Sequence, residues 1–252
     1  MCLTFLTGTL LICSFFQHYG APLVKGSLCA SEGIVRCPWH GACFNLTTGD
    51  IEDFPGLDPL QTFAVDVEIN GDVYLSGCKE QFDRKSKTKA TLKPDNTNQE
   101  TVVVIGGGGA AQVCVETLRR KNDPWQGRII MISQEDCLPY DRPKLSKNMV
   151  AKGSDLQLRN SEFFTSAGIE TKLGVKVTHV DVTNQTVQCS DASQVRYDHL
   201  VLATGGRPRE MTSVPGYNLN NIYQLRSPED ANTIATAALG KHVVVVGSSF
   251  IG

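Results

Sequence analysis

The run TVVVIGGGGAAQVCVETLRR, Thr101 to Arg120, constrains this chain more than any other stretch. Five strand-forming residues lead into glycines and then into a segment with helical spacing, so strand, tight turn and helix are expected in succession. Gly106, Gly108 and Ala111 stand at the spacing of a dinucleotide fingerprint. Gly106 permits the tight turn, Gly108 lets backbone approach a pyrophosphate, and Ala111 lets the helix pack closely on the strand. The helix N-terminus then offers unpaired N–H groups and a dipole to the phosphates. Ala110, Val113, Cys114, Thr117 and Leu118 fall on one helical face, so a helix is expected to begin where the chemistry needs it.

A second strand, RIIMIS, is followed by Glu135. A carboxylate there accepts ribose hydroxyls and repels a 2′-phosphate, so FAD or NAD is the expected ligand and NADP is disfavoured at this site. Further strands up to HLVLATGG continue the alternation of strand and helix, which argues for a parallel α/β sheet. Upstream, Leu23 to Cys78 shows short alternating runs and reads as all-β, with Asn70-Gly71 expected at a type I′ hairpin turn. Between these parts, residues 79–99 lose large apolar side chains to Lys, Asp and Asn, the composition of a solvated linker.

Charge removes two classes of partner. With 24 basic and 26 acidic residues in 252, the net charge of −2 supplies no field to gather nucleic acid or an anionic membrane. Nine cysteines spread over a chain of this size fit a reducing compartment better than a disulfide framework. Residues 1–16, MCLTFLTGTLLICSFF, form an apolar leader open to two readings: a signal or anchor, or an apolar lead-in that is neither. The leader lacks a basic start and a small-x-small cleavage site, and it is shorter than the roughly 20 residues of a membrane span, so no span is expected.

The glycine fingerprint, Glu135, PYDRPKLSK and LVLATGGRP together resemble the flavoprotein pyridine-nucleotide oxidoreductases of the apoptosis-inducing-factor and ferredoxin-reductase type. That resemblance implies FAD, with Arg142 and Lys147 reaching its pyrophosphate and flavin edge and Ala203, Thr204 and Gly205 forming the strand end against it. It also implies that Val177 presents its backbone to the adenine. A guanidinium suits a diphosphate because it offers several fixed donors. Disulfide reductases of this broad type need two closely spaced cysteines beside the flavin. Only Cys137 is present, so electrons are expected to pass from NAD(P)H through flavin to an external acceptor. Near the end, KHVVVVGSSFIG repeats the strand-then-glycine grammar with Gly247 and Gly252, although Ser249 replaces the middle glycine. By the resemblance this is the start of a nicotinamide-binding domain.

QHYGAPLVKG with CPWHGACFNLTTGDI resembles a Rieske domain, whose [2Fe-2S] cluster takes C-x-H and C-x-x-H ligands. Cys37 and His40 match the second pair and His18 the imidazole of the first, but position 16 is Phe16, and Cys13 lies too far upstream. Zinc held by His18, Cys37, His40 and a further cysteine such as Cys29 or Cys43 is an alternative, and so is a metal-free β module.

The expected fold is therefore an all-β Rieske-like module, incomplete, followed by an α/β two-dinucleotide-binding flavoprotein fold, also incomplete. Its expected parts are a Rieske-like domain over 17–78, the linker over 79–99, an FAD-binding domain over 100–240 and the start of an NAD(P)-binding domain over 241–252. The resemblance implies an NAD(P)H-dependent flavin oxidoreductase of mitochondrion or cytoplasm, with a nicotinamide cofactor and an electron acceptor as partners. The family's name carries a link to apoptosis. The competing expectation is a redox-inactive product that serves only as an interaction or regulatory module.

Overall fold

The computed structural model describes residues 10–12, 21–53, 56–77, 91–95, 97–120 and 123–247. His18, Gly252, Phe16, Cys13 and Ser249 lie outside them. The chain divides into two compact units, Met1–Ala90 and Thr91–Gly252.

The first unit is built of short antiparallel strands. β1 (Leu10–Ile12), β2 (Ser27–Cys29), β3 (Ile34–Arg36), β4 (Cys43–Asn45), β5 (Ile51–Asp53), β6 (Thr62–Val67) and β7 (Val73–Ser76) form two sheets, ordered β2-β3-β4-β5 and β1-β6-β7. Val35, Phe44, Leu46 and Leu60 are buried with Ala21, Leu23, Cys37 and Ala42 in one core. Strand alternation produces this core: Val35 is buried while Arg36 beside it is exposed. The expected hairpin joins β6 to β7, but its turn is not type I′. Gly71 has φ +88° whereas Asn70 is not in the left-handed region, and Gly71 N donates to Glu68 O at 2.9 Å. A type I turn followed by a left-handed glycine makes a longer loop, and Asn70 Oδ1 accepts from Asp72 N at 2.9 Å, which braces it.

The second unit centres on four parallel strands in the order β10-β9-β8-β14, namely β8 (Thr101–Ile105), β9 (Arg128–Ile132), β10 (Ile169–Lys172) and β14 (His199–Leu202). The two central strands, β8 and β9, read as near-continuous apolar runs because both of their faces are covered. Val102, Val104, Ile129 and Met131 meet Ala111 and Val115 of helix α1 (Gly109–Leu118) and Phe164 of helix α2 (Ser161–Ser166). Val103, Ile105, Ile130 and Ile132 pack on Val187, Cys189 and Val195 of an antiparallel sheet and on Tyr197, which follows its last strand. That sheet comprises β11 (Val177–Asp181), β12 (Thr186–Cys189) and β13 (Gln194–Arg196). Thr91 bridges Arg120, and Leu92 N donates to Arg119 O at 3.0 Å, so the chain joins this unit before β8 begins. Among the described residues no helix is long and apolar enough to cross a membrane.

The buried face of α1 is Ala111, Gln112, Val115 and Glu116, with Cys114 and Leu118 partly buried against the same core and Ala110 and Thr117 exposed. Glu116 is neutralised inside by Arg159, at 3.0 Å. One further expectation needs correction. The strand expected in KHVVVVG is not formed, and Val244 is 87% exposed. Four consecutive valines suit an interior parallel strand only where neighbouring strands and covering layers exist, and none pairs with this run among the described residues.

Candidate functional site

The carboxyl ends of the parallel strands gather most of the predicted residues of the second unit. β8 ends at Ile105 and the chain turns at Gly106, whose φ of +145° excludes most side chains. A Cβ on Gly106 would sit 2.1 Å from Ala203 O, and Ala203 N donates to Ile105 O at 2.8 Å. Ala203 therefore lies against the fingerprint's first glycine, as the end of β14 should. A Cβ on Gly107 would sit 2.2 Å from Ser133 Oγ, so the second glycine of the run, invisible to the fingerprint, is demanded by Ser133 just after β9. Gly108 and Gly109 differ, since a Cβ on either would meet nothing within 4 Å. Gly108 is the N-cap of α1, and no side chain caps the helix. Open space before uncapped N–H groups fits a diphosphate.

Beside this turn lies a cluster that sequence reasoning found only in part. Ser133 Oγ accepts from Glu135 N at 3.1 Å, and Glu135 O accepts from Gly174 N at 2.9 Å, so the backbone of Glu135 is tied on both sides. The carboxylate accepts from Tyr140 Oη at 2.7 Å on Oε2 and from Arg142 Nη2 on Oε1. Arg142 also donates to the Tyr140 hydroxyl and, at 3.0 Å, to Arg226 O, and its guanidinium lies 4.6 Å from the centre of the Tyr140 ring. Burial, then the bond to Glu135, pushes the Tyr140 hydroxyl well above the usual phenol range, so it remains a donor. Glu135 and Arg142, predicted separately, thus meet each other.

Tyr140 and Arg226 were missed. Tyr140 is 2% exposed and lies inside PYDRPKLSK, where a buried phenol needing a partner was a readable signal. Arg226 precedes helix α3 (Pro228–Ala238), and Asp230 holds its N–H at 3.0 Å as part of that helix's cap. Its Nη2 stands 2.8 Å from where a Cβ on Gly205 would lie, and Gly205 has φ +68°. No sequence motif marked this approach.

The remaining predicted positions are more dispersed. Lys147 is exposed and ends the 3-10 helix Arg142–Ser146. Thr204 is exposed beyond β14. Val177 opens β11, half-buried, pairing with Cys189 next to a register shift. Gly247 has φ +135° and follows the exposed valines. Cys137 is half-buried and in no disulfide, and burial, reinforced by Glu135, Asp136 and Glu229, pushes its thiol up to about 11. Such a thiol is a poor nucleophile at neutral pH.

In the first unit, Cys37 follows β3 and is 2% exposed, while His40 is exposed on the loop before β4, with Trp39 edge-on at 6.4 Å. Cys37 N donates to Ala42 O at 2.7 Å and Gly41 N to Cys37 O at 3.1 Å, which closes the loop. Cys29 is exposed on β2 and Cys43 is buried at the start of β4. Among the described residues no three His, Cys, Asp or Glu side chains gather as a metal site.

The chain belongs to the pyridine nucleotide-disulphide oxidoreductase family, whose model matches residues 100–252. A Rieske [2Fe-2S] domain model matches residues 11–64. Over 240 residues the chain is 43% identical to apoptosis-inducing factor 3 of Homo sapiens, covering 93% of this chain and 39% of that protein. It is 35% identical over 156 residues to rhodocoxin reductase of Rhodococcus erythropolis, covering 60% of this chain and 36% of that one. The crystal structure of the covalent putidaredoxin reductase–putidaredoxin complex aligns at a TM-score of 0.49 and 32% identity, over 56% of this chain and 34% of that chain. The chain thus spans about two fifths of the length of the curated relatives it matches most fully.

These matches establish a Rieske domain followed by an oxidoreductase domain, and with it the predicted fold class. The family is one of oxidoreductases that use FAD and NAD(P)H, and the Rieske domain implies a [2Fe-2S] cluster. The open turn at Gly108, with Glu135 and Arg142 beside it, fits the ADP part of FAD. The cluster fits less well. Cys37 and His40 supply one thiolate and one imidazole, but Phe16 stands at the expected position of the other thiolate and cannot bind iron.

Proposed function

We propose that the second unit binds FAD and that the protein transfers electrons from NAD(P)H through the flavin to an acceptor. One observation carries the reading: the uncapped N-terminus of α1, opening at Gly108, and the Glu135–Arg142 pair lie at the carboxyl ends of the same parallel strands. Ligands of open α/β sheets bind there. Gly106, Gly108 and Ala111 bring α1 to the diphosphate, Glu135 accepts hydrogen bonds from the adenosine ribose hydroxyls, and Arg142 and Lys147 reach the pyrophosphate and the flavin edge. Ala203, Thr204 and Gly205 end β14 against the cofactor, with Arg226 beside them, and Val177 borders the adenine. When bound, FAD would supply the two-electron redox chemistry between nicotinamide and acceptor. The protein's part is placement and charge, and no acid–base pair is required.

Gly247 and Gly252 are the proposed start of the nicotinamide site, and His18, Cys37 and His40 the cluster ligands that remain. The relatives named as reductases of rhodocoxin and putidaredoxin favour a small redox protein as acceptor, and the kinship with apoptosis-inducing factor 3 favours a mitochondrial or cytoplasmic location. Phe16 supports a second reading, a redox-inactive interaction or regulatory module.

The purified chain distinguishes the readings through its visible spectrum and its EPR after reduction. Retained flavin without a Rieske signal supports FAD binding with an unbuilt cluster. A Rieske signal would show that another residue replaces the missing thiolate, whereas a folded protein carrying no flavin would sink the first reading.

A further inference from the structure

Glu135 is held by two side chains before any ligand arrives, and the two differ in kind. Arg142 brings charge; Tyr140 brings geometry. The phenol is 2% exposed and donates to Oε2 at 2.7 Å, while Arg142 Nη2 occupies Oε1. Tyr140 is itself fixed. It bridges Gln157, and on either side of it Asp141 N donates to Leu156 O at 2.9 Å and Leu158 N to Pro139 O at 2.8 Å. Its ring is buried with Leu145, Ala151, Leu156 and Ala231. The backbone of Glu135 is pinned through Ser133 and Gly174, so its side-chain torsions are the freedom left, and the phenol removes it.

From this geometry we infer that Tyr140 is a positioning residue for nucleotide recognition, acting through Glu135 to aim its carboxylate at a vicinal ribose diol. A carboxylate offers about four lone-pair sites. Tyr140 and Arg142 take one on each oxygen, which leaves one on each for the 2′- and 3′-hydroxyls. The Glu135 side chain remains 24% exposed, so those sites are reachable. The inference rests on the FAD-binding reading above, and its class of ligand is any nucleotide with an unphosphorylated adenosine ribose.

The test compares full-length wild type, Tyr140→Phe, Glu135→Gln and the double variant for binding of FAD and of FMN, which lacks the adenosine. Thermal midpoints of the cofactor-free proteins serve as the fold control. Tyr140→Phe keeps the ring and should weaken FAD binding about 10-fold while leaving FMN unchanged, and in the Glu135→Gln background it should add little. Equal loss for FAD and FMN, or full additivity in the double variant, would overturn the inference and leave Tyr140 a packing residue. If Tyr140→Phe does not fold, Glu135→Gln with Tyr140→His, which retains a ring donor, reads the same coupling. Failure of wild type to bind FAD would instead remove the parent reading, and this one with it. Wild-type binding with an unaffected Tyr140→Phe variant would remove this inference alone.

Discussion

Arg159 Nη2 donates to Glu116 Oε1 at 3.0 Å, with side chains only 9% and 7% exposed, joining α1 to the segment that precedes α2. Gln112 Nε2 donates to the other carboxylate oxygen at 3.2 Å. Breaking such a pair strands a buried charge, which costs about 3–5 kcal/mol. Arg159→Ala should therefore lower the urea midpoint strongly. Replacing both partners, Glu116→Leu with Arg159→Met, should recover most of the loss, because the desolvation of both charges disappears with them. A double variant as unstable as the single one would show that the pair is not the cause.

Gly106→Ala and Gly108→Ala should separate folding from binding. At Gly106 the φ of +145° and the 2.1 Å approach to Ala203 O forbid a methyl group, and the variant should lose roughly 1–3 kcal/mol or fail to fold. At Gly108 the φ of −102° is ordinary and the space is open. Gly108→Ala should match wild type in thermal midpoint and lose FAD affinity alone, provided that the diphosphate approaches there. Unaltered affinity on a flavin-binding background would place the diphosphate elsewhere.

Arg119 is fully buried and donates to Ala167 O at 2.9 Å, Gly127 O at 2.9 Å, Gly168 O at 3.1 Å and Trp125 O. The planar fork reaches carbonyls on two loops at once, and a lysine ammonium cannot. Arg119→Lys and Arg119→Met should both destabilise the second unit, by on the order of 4 kcal/mol for Met, because buried carbonyls lose their donors. Denaturant unfolding followed by Trp125 fluorescence measures it.

Cys137 should alkylate slowly at pH 8 and faster as pH rises towards 11, measured with iodoacetamide and peptide mapping against exposed Cys29. The linkage has a definite sign. The folded thiol keeps its proton to higher pH than the unfolded one, whose value is near 9.0. Its contribution to stability is therefore whole below about 9 and is lost as pH climbs through 11. Rapid labelling at pH 8 would contradict the buried, acid-flanked setting.

The sequence by itself determined the local grammar of both units. Strand, glycine turn and helix over Thr101–Leu118 were legible because a parallel strand covered on two faces must be apolar throughout and a backbone turn against phosphate must be glycine. The Rieske domain was legible because the spacing of its ligand motif is local. Only the tertiary structure decided which face of α1 is buried, since Glu116 goes inside on account of Arg159, 43 positions away in the chain. It alone joined Glu135 to Tyr140 and Arg142 and brought Arg226, 84 positions from Arg142, to the same place. The physical reason is common to these cases. A buried polar group is stable only with a partner, and partners separated by many residues leave no period or spacing in the sequence by which they can be paired.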